Sequence, residues 1–84
     1  MTEEEILQRI TVIPKIFGGK PILRGLRIAV EHVLDMLAAG ETQENLLREY
    51  PFLEPLDIQA CFIYASRLVK GEQVQDRSVG SQPP

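Results

Sequence analysis

The sequence has very little of the chemistry that disulfide-bonded and metal-binding proteins need. One cysteine, Cys61, and one histidine, His32, occur in 84 residues. A single cysteine cannot form an internal disulfide, and one thiol with one imidazole is too few soft ligands for a transition-metal site. The sequence therefore predicts a domain that folds without disulfides, metal or cofactor.

Long apolar runs and a basic leader are also missing. No stretch approaches the roughly 18 apolar residues of a membrane-spanning helix. Residues 1–5 carry three acids, whereas a signal peptide begins with positive charge. We expect a cytoplasmic protein with no membrane partner.

The short length limits the hydrophobic core. The composition, 44 % apolar and 25 % charged, is that of one small globular domain, which buries only about 60–65 % of its unfolded surface. Such a core supplies little net stability without disulfides or metal, so burial against a second copy is favoured. We expect a homodimer.

Charge is unevenly distributed along the chain, although the formal net charge is only −3. Residues 6–30 contain five bases and no acid, residues 1–5 contain three acids, and residues 31–84 contain nine acids and four bases. The basic stretch either binds nucleic acid or is neutralised by the acidic part of the same fold.

The first third of the chain predicts a short hairpin or arm. Residues 10–13 are β-branched and stop at Pro14, which cannot donate to a sheet ladder. Residues 17–21 form a turn by their two glycines and proline, and residues 22–28 alternate apolar with basic side chains.

Three helices are predicted in the rest of the domain. The first covers residues 30–38 and ends at Gly40; the second is capped by Thr42 and stopped by Pro51; the third runs from Pro55 to residue 71. We expect a domain over residues 1–71 and a disordered tail over residues 72–84.

No catalytic residues are predicted. Gly18, Gly19 and Lys20 lack the upstream glycine and the following serine or threonine of a phosphate-binding loop. No nucleophile or carboxylate is placed to form a relay with His32, and Cys61 lies on an apolar helix face, where cysteine usually acts as a small hydrophobe. We expect a non-enzymatic protein.

The second and third predicted helices, joined by residues 51–54, match a helix-turn-helix, in which the later helix enters the major groove. In that docking, Glu54 and Asp57 at the start of the third helix would face phosphates, so the cations must come from elsewhere. The predicted DNA-binding residues are Lys20, Arg24, Arg27, Arg67 and Lys70.

An alternative remains for the basic arm. In an extended segment Arg24 and Arg27 point to opposite faces, unless Gly25 breaks the strand. The alternative is that one of the two arginines turns inward and binds a carboxylate of the first predicted helix, such as Glu31 or Asp35.

A family resemblance covers residues 8–70. It is carried by Phe-Gly-Gly-Lys-Pro at residues 17–21, Arg24-Gly25-x-Arg27, Tyr-Pro at residues 50–51 and Asp57-Ile58-x-Ala60. These motifs resemble a small bacterial family catalogued as a domain of unknown function and associated with antitoxins of the VapB type. The family usually has Thr-Arg-Ile-Pro where this chain has Leu-Arg-Ile-Ala at residues 26–29.

The resemblance implies a mainly α fold: a homeodomain-like or winged helix-turn-helix three-helix domain with a short N-terminal β-hairpin or arm. It also implies a dimer and a cognate toxin with a PIN-like ribonuclease fold. We expect a non-enzymatic antitoxin-like regulator that binds this toxin and operator DNA. The alternatives are a stand-alone DNA-binding module and a purely structural dimerisation module without a toxin partner.

Overall fold

Four helices and one two-stranded sheet make up the described part of the chain. A computed structural model describes residues 1–77, with side chains placed through residue 71. The elements are α1 (Glu3–Leu7), β1 (Ile10–Val12), β2 (Pro21–Leu23), α2 (Val30–Ala38), α3 (Gln43–Glu49) and α4 (Pro55–Arg77). The expectation of a mainly helical domain with an N-terminal hairpin is confirmed.

The hairpin is antiparallel and pairs Ile10 with Leu23 and Val12 with Pro21. Its connection includes a tight 3₁₀ turn at Phe17–Gly19. Phe17 has a φ of +49° and Gly18 a φ of +64°, so the chain reverses through backbone conformations that glycine tolerates best. Leu23 of β2 is fully buried against the helices.

Helices α2 and α3 have the boundaries that their end signals predict. Gly40 follows α2 with a φ of +105°, and its amide donates to Leu37 while the next amide, of Glu41, donates to Met36. This pair of bonds is a Schellman motif. Thr42 caps α3 by accepting from the Asn45 amide at 3.0 Å.

The core lies where β2, α2, α3 and α4 meet. Its fully buried or nearly buried members are Leu23, Ile28, Val30, Val33, Leu46, Leu53, Ile58 and Cys61. Because every one of these elements contributes to a single cluster, the hairpin is fixed relative to the helices. The loop from residue 24 to residue 29 therefore has a defined position beside α2 and α4.

Helix α1 was not expected from the sequence. Thr2 accepts from the Glu5 amide at 3.1 Å, and the Glu5 carboxylate accepts from the Thr2 amide at 2.8 Å, which is a capping box. Ile6 is buried, and α1 lies against α4. The Thr-x-x-Glu spacing at residues 2–5 is the signal that predicts such a start.

Helix α4 is longer than expected. It continues to Arg77, whereas the sequence predicts a domain boundary at residue 71. Gly71 lies inside the helix without the positive φ of a helix-ending glycine. The remainder of the expected tail, residues 78–84, lies outside the described residues.

Candidate functional site

Arg24, one of the predicted DNA-binding residues, points into the fold. Its Nε donates to Asp57 Oδ1 at 2.9 Å, and its Nη2 donates to Asp57 Oδ2 at 2.7 Å and to the Phe52 carbonyl at 2.7 Å. Arg24 has a φ of +46° and Gly25 a φ of +71°, so the strand ends before them. An inward arginine was the alternative expectation, but its partner is Asp57 and not Glu31 or Asp35.

Asp57 is the one charged residue of the buried core among the described residues. Arg9 Nη1 donates to its Oδ1 at 3.0 Å and to Glu54 Oε1 at 2.7 Å, and the Glu54 amide donates to its Oδ2 at 2.8 Å. We call Arg9, Arg24, Glu54 and Asp57 the Asp57 cluster. It joins the hairpin to the first turn of α4.

The pKa of the Asp57 carboxyl is lowered by this arrangement. Burial alone acts in the opposite direction and would raise the pKa, but hydrogen bonds from Arg24, from the Glu54 amide and from Arg9 outweigh it. Asp57 is therefore an ionised carboxylate with its acceptors occupied. It does not face phosphates, as the usual helix-turn-helix docking would require.

Lys20 and Arg67 are also paired with carboxylates of the chain. Lys20 Nζ lies 3.1 Å from Glu31 Oε2, and both side chains are about half exposed. Arg67 donates to Glu4 at 2.7 Å and to Glu3 at 3.0 Å, which ties α4 to α1. Lys20 and Arg24 therefore both follow the alternative prediction, in which acids of the same fold neutralise the basic stretch.

The five predicted DNA-binding residues do not form one surface, and only Arg67 and Lys70 lie together. Lys20 lies beside α2, Arg24 beside the start of α4, and Arg67 beside α1. Lys70 is exposed in the second half of α4, in a depression shared with Arg67. Arg27 is exposed in the loop between β2 and α2, and within residues 1–71 it makes no ion pair.

Arg27 lines a groove that the sequence does not predict. The groove is open to solvent and has a volume of about 430 Å³ between α2, the loop before it and the turn between α3 and α4. We call it the Arg27–Phe52 groove; its lining residues are Arg27, Ile28, His32, Asp35, Met36, Tyr50 and Phe52. It combines cationic, acidic, aromatic and apolar side chains on one surface.

Local contacts hold the groove in shape. Arg24 fixes the Phe52 carbonyl, and the Tyr50 and Phe52 rings meet edge to face with centroids 6.0 Å apart. His32 Nδ1 accepts from the Ala29 amide at 3.2 Å, which places the proton of a neutral imidazole on Nε2. Phe17 lies 5.3 Å from the His32 ring, also edge to face.

A second, more apolar depression lies between the hairpin, α2 and α4. It encloses about 270 Å³ and is lined by Pro21, Val30, Glu31, Leu34, Tyr64, Ala65 and Leu68. Leu68 is 48 % exposed. We call this the Leu34–Leu68 depression.

The described residues offer little for covalent or metal chemistry. Burial raises the pKa of the Cys61 thiol to about 12, so the reactive thiolate is scarce at neutral pH. Within the part of the chain that the structure describes, no three metal-binding side chains are grouped. None of the described helices is both long and apolar enough to span a membrane.

Comparison with known proteins identifies relatives of this fold. The family model described as "Protein of unknown function (DUF433)" matches residues 10–65. The uncharacterized protein y4eO of Sinorhizobium fredii is 39 % identical over 56 residues, which are 67 % of this chain and 25 % of that protein. The chain thus matches only a quarter of the length of this curated relative.

A solved structure shares the architecture. The crystal structure of a DUF433 member protein from Anabaena variabilis is similar with a TM-score of 0.69 and 29 % identity, covering 93 % of this chain and 75 % of that one. The resemblance to a family of unknown function is therefore confirmed.

Proposed function

The chain belongs to the DUF433 family, and from its surface we propose that it is a non-enzymatic, antitoxin-like regulator that acts by binding a partner protein. The observation that carries this proposal is the outer face of α4. Gln59, Phe62 and Ser66 recur at helical spacing and are all exposed, and Phe62 is 44 % exposed. An exposed phenyl ring between uncharged polar residues fits the core of a protein interface.

The charges favour a protein partner over DNA. Arg9 and Arg24, two of the five bases in residues 6–30, are both bound to the buried carboxylate of Asp57. Nucleic-acid affinity depends mainly on cations that are available to phosphates. With a net charge of −3, the chain would attract a basic protein surface at long range.

The partner we propose is a ribonuclease toxin of PIN-like fold. The support is the sequence resemblance of residues 8–70 to a family associated with VapB-type antitoxins, together with the exposed Phe62 ring on α4. Binding would occur through Phe62 and its neighbours, and the regulator would inhibit the toxin by occupying its surface.

Co-expression with the product of the adjacent gene tests this function. The partner should co-purify with the native chain, and Phe62→Glu should weaken binding at least about tenfold, since buried aromatic anchors carry much of an interface's energy. Glu44→Gln on α3, an exposed position away from this face, is the matched control. Failure to co-purify, with undiminished growth inhibition by the adjacent product, would contradict the proposal.

DNA binding is a second candidate, favoured by the succession of α3, a short turn and α4. It would rely on Arg27 and Lys70, and on Lys20, whose exposed ion pair with Glu31 costs little to exchange. In a titration with the chain's own promoter fragment at two salt concentrations, Arg27→Ala should reduce the salt slope by about one. No binding at low salt would leave a protein-binding or purely structural module.

We also propose that the regulator is a homodimer. The Leu34–Leu68 depression leaves apolar side chains from three elements uncovered in one copy. A second copy placed against it would bury Leu68. It would also extend a hydrophobic core that is small for a domain without disulfides or metal.

A further inference from the structure

The Arg27–Phe52 groove has a composition that neither the partner protein nor the dimer explains. Phe52 is 47 % exposed, although its ring also meets the Tyr50 ring edge to face. Arg24 donates to the main-chain carbonyl of Phe52, so the backbone that carries this ring is tied to the Asp57 cluster. The exposed face of the Phe52 ring is a flat apolar surface that a ligand can contact.

Polar groups of complementary kinds line the same groove. Arg27 contributes a permanent cation that pairs with no carboxylate within residues 1–71. His32, with Nδ1 occupied by the Ala29 amide, contributes an N–H donor. Asp35 contributes an acceptor. A ligand that satisfies these groups has an anionic part for Arg27, hydrogen-bond donors for Asp35 and a flat ring for Phe52.

We propose that the Arg27–Phe52 groove binds a single nucleotide, with its base against Phe52 and its phosphate bound by Arg27. The volume of about 430 Å³ lies in the range of small-molecule sites. Base stacking on an aromatic side chain and a charge-assisted bond from arginine to phosphate are both strong contacts. Asp35 can accept from a base N–H or amino group, and it disfavours a purely acidic peptide.

This proposal does not rest on the partner protein or on the dimer. The groove is formed by residues 27–36 and 50–52, whereas the proposed protein-binding face is on α4 around Phe62. A nucleotide site can therefore fail while partner binding succeeds, and the reverse also holds.

The experiment is a titration of the full chain, ¹⁵N-labelled, with 5′-AMP, adenosine and inorganic phosphate, followed by NMR. With 5′-AMP we expect amide shifts confined to residues 27–36 and 50–52. Adenosine should bind about tenfold more weakly, because the bond from Arg27 to the phosphate is lost. Inorganic phosphate alone should bind more weakly than 5′-AMP, because it cannot stack on Phe52.

Two variants and two matched controls separate the contacts. Arg27→Gln should lower the affinity for 5′-AMP to that for adenosine and leave adenosine binding unchanged. Phe52→Leu should weaken both ligands about tenfold. Arg48→Gln and Val12→Ala change an exposed cation and an exposed apolar side chain elsewhere and should change neither affinity.

The outcomes are distinct. Absence of localised shifts at millimolar 5′-AMP, or equal effects of Arg27→Gln and Arg48→Gln, would overturn the proposal. A short single-stranded RNA with a 5′-phosphate identifies the source of the nucleotide. If it competes with 5′-AMP and binds more tightly, the site takes an RNA end; if it binds no more tightly, the site takes a free nucleotide.

Discussion

Arg24 and Asp57, which are 33 residues apart in sequence, form a two-bond contact of 2.9 and 2.7 Å that joins the hairpin to the first turn of α4. Asp57 is fully buried, while the Arg24 side chain remains 33 % exposed. The contact joins an arginine of the basic stretch, residues 6–30, to an acid of α4, the helix that the sequence predicts to enter the major groove. The sequence predicts Arg24 as a DNA contact and Asp57 as an acid that would face phosphates. In the structure both residues stabilise the fold.

Replacing Asp57 should destabilise the protein strongly. Asp57→Asn keeps the size of the side chain but leaves Arg9 and Arg24 beside a neutral group, and disrupting one partner of a buried ion pair costs about 3–5 kcal/mol. We expect a loss at or slightly below that range, because both arginines retain contact with water. Urea denaturation measures it. Glu31→Gln, in the exposed pair with Lys20, should change stability by less than about 1 kcal/mol; equal losses for the two variants would contradict this role.

Stability should also depend on pH through Asp57. Its pKa is lower in the folded chain than its ordinary value of 3.8, so the unfolded chain binds a proton at higher pH than the folded one does. The stabilisation from Asp57 is fully present above the ordinary value and is lost as the pH falls through it toward the folded pKa. The difference between the melting temperatures of the native chain and Asp57→Asn should stay constant down to the ordinary pKa of 3.8 and shrink as the pH falls below it. A difference that stays constant below this pKa would be inconsistent with an ionised Asp57.

Glycine substitutions test the length of α4. Gly71 lies inside the helix with open space around it, so Gly71→Ala should stabilise the protein by up to about 1 kcal/mol. Gly40 has a φ of +105°, so Gly40→Ala should destabilise it by about 1–2 kcal/mol. Thermal denaturation of both variants gives the comparison. Destabilisation by Gly71→Ala would mean that the helix ends near residue 71, as the sequence alone predicts.

What the sequence predicts well is local. The ends of α2 and α3 are determined by Gly40 and Thr42, whose effects reach only a few residues, and the structure confirms both. The inward orientation of the Arg24 side chain depends on Asp57, 33 residues further along the chain. It also depends on the positive φ of Arg24 itself, which the local sequence does not predict. Spacing within the basic stretch therefore could not reveal its partner.

The groove was missed for the same reason. Arg27, His32 and Phe52 belong to three segments that meet only after the hairpin has packed against the helices. Helix α1 is different, because the capping-box spacing of Thr2 and Glu5 was readable. The three acids of residues 1–5 also argue against a signal peptide, and that charge pattern alone does not predict a helix.

The homodimer is tested at Leu68, whose side chain is half exposed at the edge of the Leu34–Leu68 depression. If a second copy covers this depression, the native chain has twice the mass of the 9.5 kDa protomer by light scattering at tens of micromolar. Leu68→Asp would place a charge in the apolar interface and weaken association at least about tenfold. Val12→Asp, at a 60 % exposed position on the hairpin, should leave the mass unchanged. A native chain that is monomeric at this concentration, with a melting temperature independent of concentration, would show that the depression is not a dimer interface.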